Sequence, residues 1–444
     1  MGRLFGTDGV RGVANRELTP ELAFHLGRAG AHILTGKVNN PQVIVGRDPR
    51  ISGEMLEAAL TAGMLSVGAD VYQVGVVPTP AVAYLVRKFA VGAGVVISAS
   101  HNPMPDNGIK FFSSSGFKLP DVVEDEIEAH LYRNELPRPL GDKLGRLYRA
   151  EDAAEEYLDY LASIFSTRLD GLRVVIDCAH GAAFHISPEI FRRLGAEVIP
   201  IFNRPDGLNI NENCGSTHPE SLQKAVLEHG AHMGFAHDGD ADRVLAVDER
   251  GRVVDGDQIM YICALQMAAA GQLRQRTLIT TVMSNLGLDI ALKEKGIGVK
   301  RTRVGDRYVL AEMQESRANL GGEQSGHIIF LDYNSTGDGI VTALKVATIV
   351  KATGQSLAGL TAAMPRLAQV QNNVLVSRRR EFSTNPRIQE AIHSANAALA
   401  GVGRVLVRPS GTEPKVRVLV EGEDKNELEE IAGQLVKVIG EELA

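Results

Sequence analysis

A pattern of apolar and polar positions repeats three times along the chain: a short apolar strand, an amphipathic segment that ends at glycine, and a second apolar strand. The first copy runs from VIVG at Val43 to ADVYQVG, the second begins with RVVID at Arg173, and the third begins with TLITTV at Thr277. The separation of the two strands is too long for a hairpin and suits a helical crossover between parallel strands. The pattern therefore predicts three related α/β domains with mixed, largely parallel sheets.

The last part of the chain has a different pattern. PRIQEAIHSANAALA predicts a helix, RVLVRPSGTEPKVRVLVEG predicts two strands around a tight loop, and DKNELEEIAGQLVKVIGEEL predicts a helix opened by an Asp or Asn cap. Helices on a small antiparallel sheet form a smaller C-terminal α+β domain. We place the four domains at 1–150, 151–253, 254–370 and 371–444. Because no low-complexity linker separates them, we expect the four domains to surround a central cleft.

Composition narrows the class of protein. A chain of 444 residues is too long for one hydrophobic core, and 47 basic against 54 acidic side chains, a net charge of -7, argue against a nucleic-acid surface. No apolar run approaches the ~20 residues of a membrane span, and residues 1–20 lack the pattern of a signal peptide, so we expect a cytoplasmic protein. Cys178, Cys214 and Cys263 are too dispersed to indicate disulfides or a zinc cluster.

Ser100 lies just beyond the strand-like GVVIS, among the small polar residues of SASHNP. Open α/β sheets bind ligands at the carboxyl ends of their strands, which is where this prediction places Ser100. A lone serine at such a position is also common as a turn or helix-cap residue. Acyl transfer is not indicated, because the G-x-S-x-G pattern of a nucleophile elbow is absent from the sequence.

Three aspartates alternate in HDGDADR, namely Asp238, Asp240 and Asp242. In extended or looped backbone, side chains two apart fall on one side, so the three carboxylates can converge on a hard divalent cation. The alternative is a solvated acidic turn. The apolar segments GFAH and VLAV on either side favour partial burial, which makes the metal interpretation stronger. Magnesium would keep open positions for water or a phosphate oxygen.

Two further loops carry groups suited to a phosphosugar. RPSGTEPKVR combines guanidinium groups, hydroxyls and backbone N–H groups, a set that binds a phosphate dianion, with Arg408, Ser410, Gly411, Thr412 and Arg417 as its members. GGEQSGH places Glu323, Ser325 and His327 among glycines, where backbone and polar side chains can approach sugar hydroxyls. The alternatives are a plain hairpin turn for the first loop and an ordinary glycine-rich turn for the second.

The ordered set of motifs resembles the α-D-phosphohexomutase superfamily over the whole chain. The motifs are FGTDGVRG, GRDPRISG, SASHNP, DGDADR, TRVGDRYV, GGEQSGH and RPSGTEPKVRV, in the order of that superfamily. By this resemblance, Ser100 matches the serine that becomes phosphorylated, and Asp238, Asp240 and Asp242 match the magnesium ligands, with a phosphate oxygen on Ser100 as a further ligand.

The resemblance also assigns the other motif residues. Arg11, His101 and Lys110 match positions near the phosphoserine, and Arg243 follows the metal loop. Glu323 and Ser325 match the sugar-hydroxyl loop, with His327 beside it. The residues Arg408, Ser410, Gly411, Thr412 and Arg417 match the loop for the phosphate that does not react. Either Lys110 or His101 would move the hydroxyl proton.

The resemblance implies a phosphomutase that uses Mg²⁺ and a sugar 1,6-bisphosphate intermediate. Gln324 in GEQSGH is similar to the glucosamine branch, which implies interconversion of glucosamine 6-phosphate and glucosamine 1-phosphate for cell-envelope precursors. The alternatives are a phosphomannomutase or phosphoglucomutase of the same superfamily, or a non-catalytic phosphosugar-binding protein. The expected partner is a phosphosugar rather than a nucleic acid or a membrane, and a homodimer is compatible with the sequence.

Overall fold

The computed structural model describes residues 3–6, 8–36, 41–132, 136–378, 381–401, 403–409 and 414–444. The chain forms two compact units: Met1–Met283 with Lys295–Ala363, and Ser284–Glu294 with Met364–Ala444. The first unit contains three sheets and the second contains one. Within the described ranges, no helix combines the length and the apolar character needed to cross a membrane.

The first sheet has six strands: β1 (Val10–Val13), β2 (Gln42–Arg47), β3 (Asp70–Val76), β4 (Ala93–Ile97), β5 (Asp106–Ser113) and β6 (Leu147–Arg149). Its helices are α1 (Pro20–Thr35), α2 (Ser52–Leu65), α3 (Thr79–Lys88) and α4 (Asp121–His130). The spatial order is β1-β5-β4-β2-β3-β6, in which β2 pairs in parallel with β3 and β4 while β5 is antiparallel to β4. The predicted crossover from VIVG to ADVYQVG is β2-α2-β3 and is confirmed.

The second sheet has five strands: β7 (Arg173–Asp177), β8 (Glu197–Ile201), β9 (Met233–His237), β10 (Val244–Asp248) and β11 (Val253–Val254). The helices are α5 (Ala153–Ile164), α6 (Ile186–Arg193) and α7 (Glu220–Glu228). The order is β11-β10-β9-β7-β8, with β7 parallel to both β8 and β9 and β10 antiparallel to β9. The predicted second crossover is β7-α6-β8 and is confirmed.

The third sheet has four strands: β12 (Thr277–Thr281), β13 (Gly298–Thr302), β14 (Leu320–Gly322) and β15 (Ile328–Phe330). The helices of this stretch are α8 (Gly256–Ala269), α9 (Leu286–Lys293), α10 (Asp306–Ser316), α11 (Gly339–Thr353) and α12 (Leu357–Thr361). The order is β13-β12-β14-β15, with β12 parallel to β13 and β14 and a hairpin joining β14 to β15. The third predicted crossover is confirmed, although α9 belongs to the second unit.

The second unit has a three-stranded antiparallel sheet: β16 (Ala368–Leu375), β17 (Arg404–Pro409) and β18 (Lys415–Gly422), in the order β16-β18-β17. Its C-terminal helices are α13 (Pro386–Ala398) and α14 (Lys425–Leu443), and Asp424 caps α14 through the backbone N–H of Asn426. The predicted helices and two strands are confirmed. Strand β16 was missed, because the apolar alternation of its half-exposed sequence AQVQNNVL is interrupted at Asn372.

Three loops of the first unit that carry residues of the sequence motifs lie at the carboxyl ends of strands. Asp48 follows β2, Ser100 follows β4, and Asp238 follows β9. The three strands are fully or largely buried, so their short loops emerge from a rigid support. This arrangement agrees with the rule that open α/β sheets bind ligands beyond the carboxyl ends of their strands.

Candidate active site

Ser100 occupies a turn with unusual backbone geometry. Its φ of 54° lies in the left-handed region, which a residue with a Cβ adopts only where the surrounding structure holds it. Its backbone N–H donates to Ser98 Oγ at 2.9 Å, and its own Oγ donates to Asp238 Oδ2 at 2.7 Å. Ser100 is buried. The turn therefore directs the Ser100 hydroxyl at the acidic loop between β9 and β10.

The three aspartates of that acidic loop converge as predicted. One carboxylate oxygen from each of Asp238, Asp240 and Asp242 lies within 4.8 Å of the others, and all three residues are buried. Burial first, and then the two neighbouring carboxylates, raise the pKa of Asp238 well above its usual range. Two buried oxygens, Asp240 Oδ1 and Asp242 Oδ1, make no hydrogen bond to any described residue. Unpartnered carboxylate oxygens in an anionic cluster are what a divalent cation requires.

Lys110 projects from β5 into the same cluster. Its Nζ lies 2.8 Å from Asp240 Oδ2 and 3.0 Å from Asp8 Oδ2. Burial alone would lower the pKa of Lys110, but the carboxylates, Asp240 foremost, raise it above its usual value. Burial likewise favours a raised pKa for Asp240, and Lys110 reverses this and lowers it to about 2. Lys110 is therefore a buried cation held by carboxylates.

A second layer of ion pairs extends from Arg11. Asp8 pairs with Arg11 and, at 2.5 Å, with Lys118 Nζ, which also pairs with Asp306. Arg11 was predicted for the site, whereas Asp8, Lys118 and Asp306 were not assigned a role. The signal for two of them was available, because Asp8 lies in FGTDGVRG and Asp306 lies in TRVGDRYV. Lys118 lies outside those motifs, and only the fold brings it to the cluster.

His101 contacts both the Ser100 hydroxyl and the Arg243 guanidinium. Arg243 donates through a guanidinium nitrogen to His101 Nδ1 at 2.7 Å, and its backbone N–H donates to Asp238 Oδ1 at 3.2 Å. Ser100 Oγ is 3.3 Å from the same Nδ1. Burial first, and then the charges of Arg243 and Arg11, lower the pKa of His101 to about 4. His101 is therefore a neutral imidazole next to the serine.

The glycine-rich loop GGEQSGH connects β14 to β15 beside the acidic loop. Gly326 accepts a hydrogen bond from Val244 N at 3.1 Å, which ties the loop to the start of β10. Glu323 Oε1 accepts from Gly305 N at 3.1 Å, and the buried His327 has Nε2 3.8 Å from Asp242 Oδ2. Ser325 is exposed at the tip of the loop. The structure thus brings this loop to the acidic loop, while its sugar-binding role stays a prediction.

The phosphate loop predicted from RPSGTEPKVR belongs to the second unit. Arg408 in β17 lies directly across from Arg417 in β18. Burial first, and then the charge of Arg417, lower the pKa of Arg408. The other three predicted residues, Ser410, Gly411 and Thr412, lie outside the described residues. The two arginines are therefore neighbours, and the role of the loop in binding phosphate stays a prediction.

Family models match four successive parts of the chain. They are described as phosphoglucomutase/phosphomannomutase alpha/beta/alpha domain I at residues 2–138, domain II at 155–251, domain III at 255–367, and the C-terminal domain at 372–438. Together these models account for most of the chain.

A relative from Desulforamulus reducens named phosphoglucosamine mutase is 59% identical over 99% of this chain and 100% of its own length. A crystal structure of a phosphoglucomutase/phosphomannomutase family protein from Burkholderia thailandensis has a TM-score of 0.81 at 25% identity, covering 98% of this chain and 97% of its own. The structure of Aspergillus fumigatus N-acetylphosphoglucosamine mutase with GlcNAc-6P and magnesium has a TM-score of 0.70 at 18% identity, covering 99% and 96%. On this evidence, the chain belongs to the phosphoglucomutase/phosphomannomutase family.

Proposed function

We propose that the chain is an isomerase that interconverts glucosamine 6-phosphate and glucosamine 1-phosphate. The observation that carries this proposal is the Ser100 hydroxyl, which donates at 2.7 Å to one of three converging, buried aspartates. The choice of sugar is supported by the relatives between 53% and 59% identical, which are named phosphoglucosamine mutase. Gln324 in the glycine-rich loop GGEQSGH, which is similar to the glucosamine branch, agrees with that choice.

In the proposed reaction, phosphorylated Ser100 gives its phosphoryl group to O1 of glucosamine 6-phosphate. The bond from Ser100 Oγ to phosphorus breaks and a bond from O1 to phosphorus forms, which yields glucosamine 1,6-bisphosphate. The bisphosphate then turns over and returns its 6-phosphoryl group to Ser100, leaving glucosamine 1-phosphate. Phosphoryl transfer depends mainly on positioning and on stabilising negative charge, which the cations Lys110 and Arg11 provide in this arrangement.

The proton of the attacking hydroxyl needs a base beside Ser100. Lys110 and His101 are the two candidates from the sequence. Lys110 is already a donor to Asp240 at 2.8 Å and lies within ion-pair distance of Asp8 and Asp242. His101 Nδ1 is an acceptor 3.3 Å from Ser100 Oγ. The lone pair of that nitrogen already accepts from Arg243 at 2.7 Å, so these contacts do not rank the two candidates for the base, and Lys110 is in either case a stabilising cation.

Asp238, Asp240 and Asp242 fit a magnesium ion, because two of their buried oxygens have no partner among the described residues. A phosphate oxygen on Ser100 would be a further ligand. When bound, Mg²⁺ would neutralise part of the charge of the phosphoryl group.

The remaining ligand contacts are proposals from the motifs. Glu323 and Ser325 would bind the sugar hydroxyls with His327 beside them, and Arg243 lies between the metal loop and His101. Arg408 and Arg417, with Ser410, Gly411 and Thr412, would hold the phosphate that is not transferred, a role that the pairing of the two arginines across β17 and β18 supports. A sugar 1,6-bisphosphate would serve as an activator, because it can phosphorylate Ser100.

We further propose a cytoplasmic enzyme that forms a homodimer. The cytoplasm is the compartment in which a nucleotide-sugar precursor would be used. Support for self-association is the edge strand β6, whose Leu147 and Tyr148 are exposed, near the exposed Leu140 and Leu144. Sedimentation velocity on the purified protein tests this: a single species of monomer mass at micromolar concentration contradicts it.

The central experiment replaces Ser100 by alanine. We expect Ser100→Ala to abolish turnover of glucosamine 6-phosphate and to block the gain of one phosphoryl group that intact mass spectrometry detects after incubation with glucose 1,6-bisphosphate. The matched control is Ser115→Ala, which changes an exposed turn whose hydroxyl contacts only Ser113 among the described residues. Turnover near the wild-type rate in homogeneous Ser100→Ala protein contradicts the proposed mechanism.

Substrate choice is tested separately. We expect kcat/KM for glucosamine 6-phosphate to exceed the values for glucose 6-phosphate and mannose 6-phosphate by about 10- to 1,000-fold, as one or two polar contacts provide. Equal values for the three sugars would favour the phosphoglucomutase or phosphomannomutase alternative. Binding of the sugars without turnover would favour the non-catalytic alternative.

A further inference from the structure

A buried arginine, Arg50, donates hydrogen bonds to the backbone of the loop that carries Ser100. The Arg50 side chain is 0% exposed and forms an ion pair with Asp48 at 2.9 Å. Its two terminal nitrogens donate to four backbone carbonyls, those of Ser100, Asn102, Pro103 and Asp106, at 2.6 to 3.0 Å. A guanidinium has five N–H groups. Arg50 therefore directs all five to acceptors, three of which belong to the loop that carries Ser100 and a fourth to the first residue of β5.

A second donor reaches the same loop from the stretch of chain that carries the second sheet. Asn211 Nδ2 donates to the carbonyl oxygen of Ser100 at 2.9 Å and to that of Asn102 at 3.0 Å. The Ser100 carbonyl thus accepts hydrogen bonds from Arg50 and from Asn211. Asn211 is 9% exposed, so both donors act largely out of water, where such bonds are strong.

These contacts explain how Ser100 keeps its left-handed backbone. A φ of 54° is unfavourable for serine, so without support the loop would relax. In this conformation the carbonyl of Ser100 turns inward to its two donors, and the hydroxyl turns to Asp238 at 2.7 Å. Asp48 adds a third support, because it accepts from Ser98 Oγ at 2.6 Å and Ser98 accepts from Ser100 N.

We propose that Arg50 is a positioning residue for phosphoryl transfer, which together with Asn211 fixes the backbone of Ser100 so that its Oγ faces the acidic loop. The inference rests on the proposed function and deepens it. Both side chains bind Ser100 only through its carbonyl oxygen, so they act on the geometry of transfer. Their loss should therefore lower kcat and leave KM nearly unchanged, since misplacement of a reacting atom by about 1 Å costs about 100-fold in rate.

The first test is Arg50→Lys, compared with Arg47→Lys. A lysine keeps the charge but has three donors on one nitrogen, which cannot span the five acceptors. Arg47 is the matched control, because it pairs with Glu54 and Glu57 and donates to the carbonyl of Asp48. We expect Arg50→Lys to lower kcat by about 10- to 100-fold with KM changed by less than about 3-fold. An unchanged kcat, or a rise in KM as large as the fall in kcat, overturns the inference.

The second variant is Asn211→Gly, which guards against a failure of Arg50→Lys to fold. The φ of Asn211 is 59°, a value that glycine adopts freely, so this variant removes the donor without straining the backbone. We expect a fall in kcat of about 3- to 10-fold at constant KM, because one of the two donors to the Ser100 carbonyl remains. Wild-type kcat in Asn211→Gly overturns the inference even where Arg50→Lys is unfolded.

Two controls separate this inference from the proposed function. All variants are compared with wild type on glucosamine, glucose and mannose 6-phosphates, and a wild type that converts none of them refutes the proposed function. Amide hydrogen exchange is measured in parallel on peptides covering residues 98–106. We expect faster exchange there in Arg50→Lys and Asn211→Gly but not in Arg47→Lys. Equal exchange in all proteins overturns the positioning role whichever sugar is the substrate.

Discussion

Two neighbouring strands of the second sheet lead into buried carboxylates whose charge states differ. Asp177 ends β7 and, among the residues that the structure describes, accepts hydrogen bonds only from backbone N–H groups, those of Ala179 and Gly215, each at 2.8 Å. Burial raises its pKa to about 7 in spite of those two bonds. Asp240 follows β9, and burial acts on it in the same way, yet the Lys110 ammonium at 2.8 Å lowers its pKa to about 2. A buried cation, rather than exposure to water, keeps Asp240 ionised.

The difference separates a carboxylate that supports the backbone from one for which we propose a role in binding metal. Asp177 holds together two turns in which Ala179 and Gly215 have left-handed φ values of 53° and 73°. Both of its oxygens are used for that purpose. The acidic loop instead leaves Asp240 Oδ1 and Asp242 Oδ1 without partners among the described residues. The same residue type, equally buried, therefore supports the backbone at one strand end and belongs to the proposed metal site at the other.

Without the Lys110 ammonium, burial should raise the pKa of Asp240 as it raises that of Asp177. We expect Lys110→Met to lower kcat by about 100- to 1,000-fold, the usual cost of losing one charge-stabilising donor at a reacting centre. The measurement is steady-state turnover at saturating magnesium. Lys345→Met is the matched control, because Lys345 Nζ bonds to the Tyr333 hydroxyl at 2.7 Å, away from the acidic loop. A loss of less than 10-fold in Lys110→Met would show that the loop does not depend on this cation.

The second prediction compares one substitution at the two strand ends. Asp240→Asn removes one negative charge and one charged ligand, so we expect the magnesium concentration for half-maximal activity to rise by at least about 10-fold. Asp177→Asn should leave that concentration unchanged, because Asp177 has both oxygens bound to backbone N–H groups. Titrating the activity of both variants with MgCl₂ measures the magnesium concentration for half-maximal activity. Equal magnesium dependence in the two variants contradicts the assignment of Asp240 as a ligand.

The smallest effect concerns stability and its pH dependence. Asn has one acceptor where Asp177 uses two, so Asp177→Asn should lower the free energy of unfolding by about 1 to 3 kcal/mol. The pKa of Asp177 is raised in the folded state, so its contribution to stability is present at low pH and is lost as pH rises through about 7.

Asp177→Asn lacks the titrating carboxyl group of Asp177, and all other titratable groups are common to the variant and the wild type. We therefore expect the difference in melting temperature between wild type and Asp177→Asn to narrow from about pH 5 to about pH 8. Thermal unfolding at four pH values measures this difference in melting temperature. The thiols of Cys178 and Cys214, which interact electrostatically with Asp177, are present in both proteins. A difference in melting temperature that grows from about pH 5 to about pH 8 contradicts the raised pKa of Asp177.

Local patterns predicted most of the fold because each crossover is encoded within a short stretch. Apolar strands such as RVVID and TLITTV, with glycine at the helix ends, identified β7 and β12 and their parallel neighbours. Strand β16 was missed, since Asn372 interrupts the apolar face formed by Ala368, Val370 and Val374, and since the strand pairs along its whole length with β18. Pairing with a distant strand leaves no local signal.

The candidate site likewise has contacts that the local sequence predicts and contacts between distant segments that it does not predict. The convergence of Asp238, Asp240 and Asp242 follows from their spacing, because alternate residues of one loop share a side. The contacts of Lys118 with Asp8 and Asp306 join segments more than 100 residues apart, so no spacing rule predicts them. Arg50 was visible in GRDPRISG, but its role depends on carbonyl groups about 50 positions further along the chain.

The sequence by itself determined which chemical groups are present, in which loops they lie, and which elements support those loops, because these depend on neighbouring residues. Only the tertiary structure decided which charges meet, how deeply they are buried, and hence that Asp240 is ionised beside Lys110 while Asp177 titrates near neutral pH. The physical reason is that charge interactions and desolvation depend on distances through space. Those distances are set by the packing of strands and loops far apart in the chain.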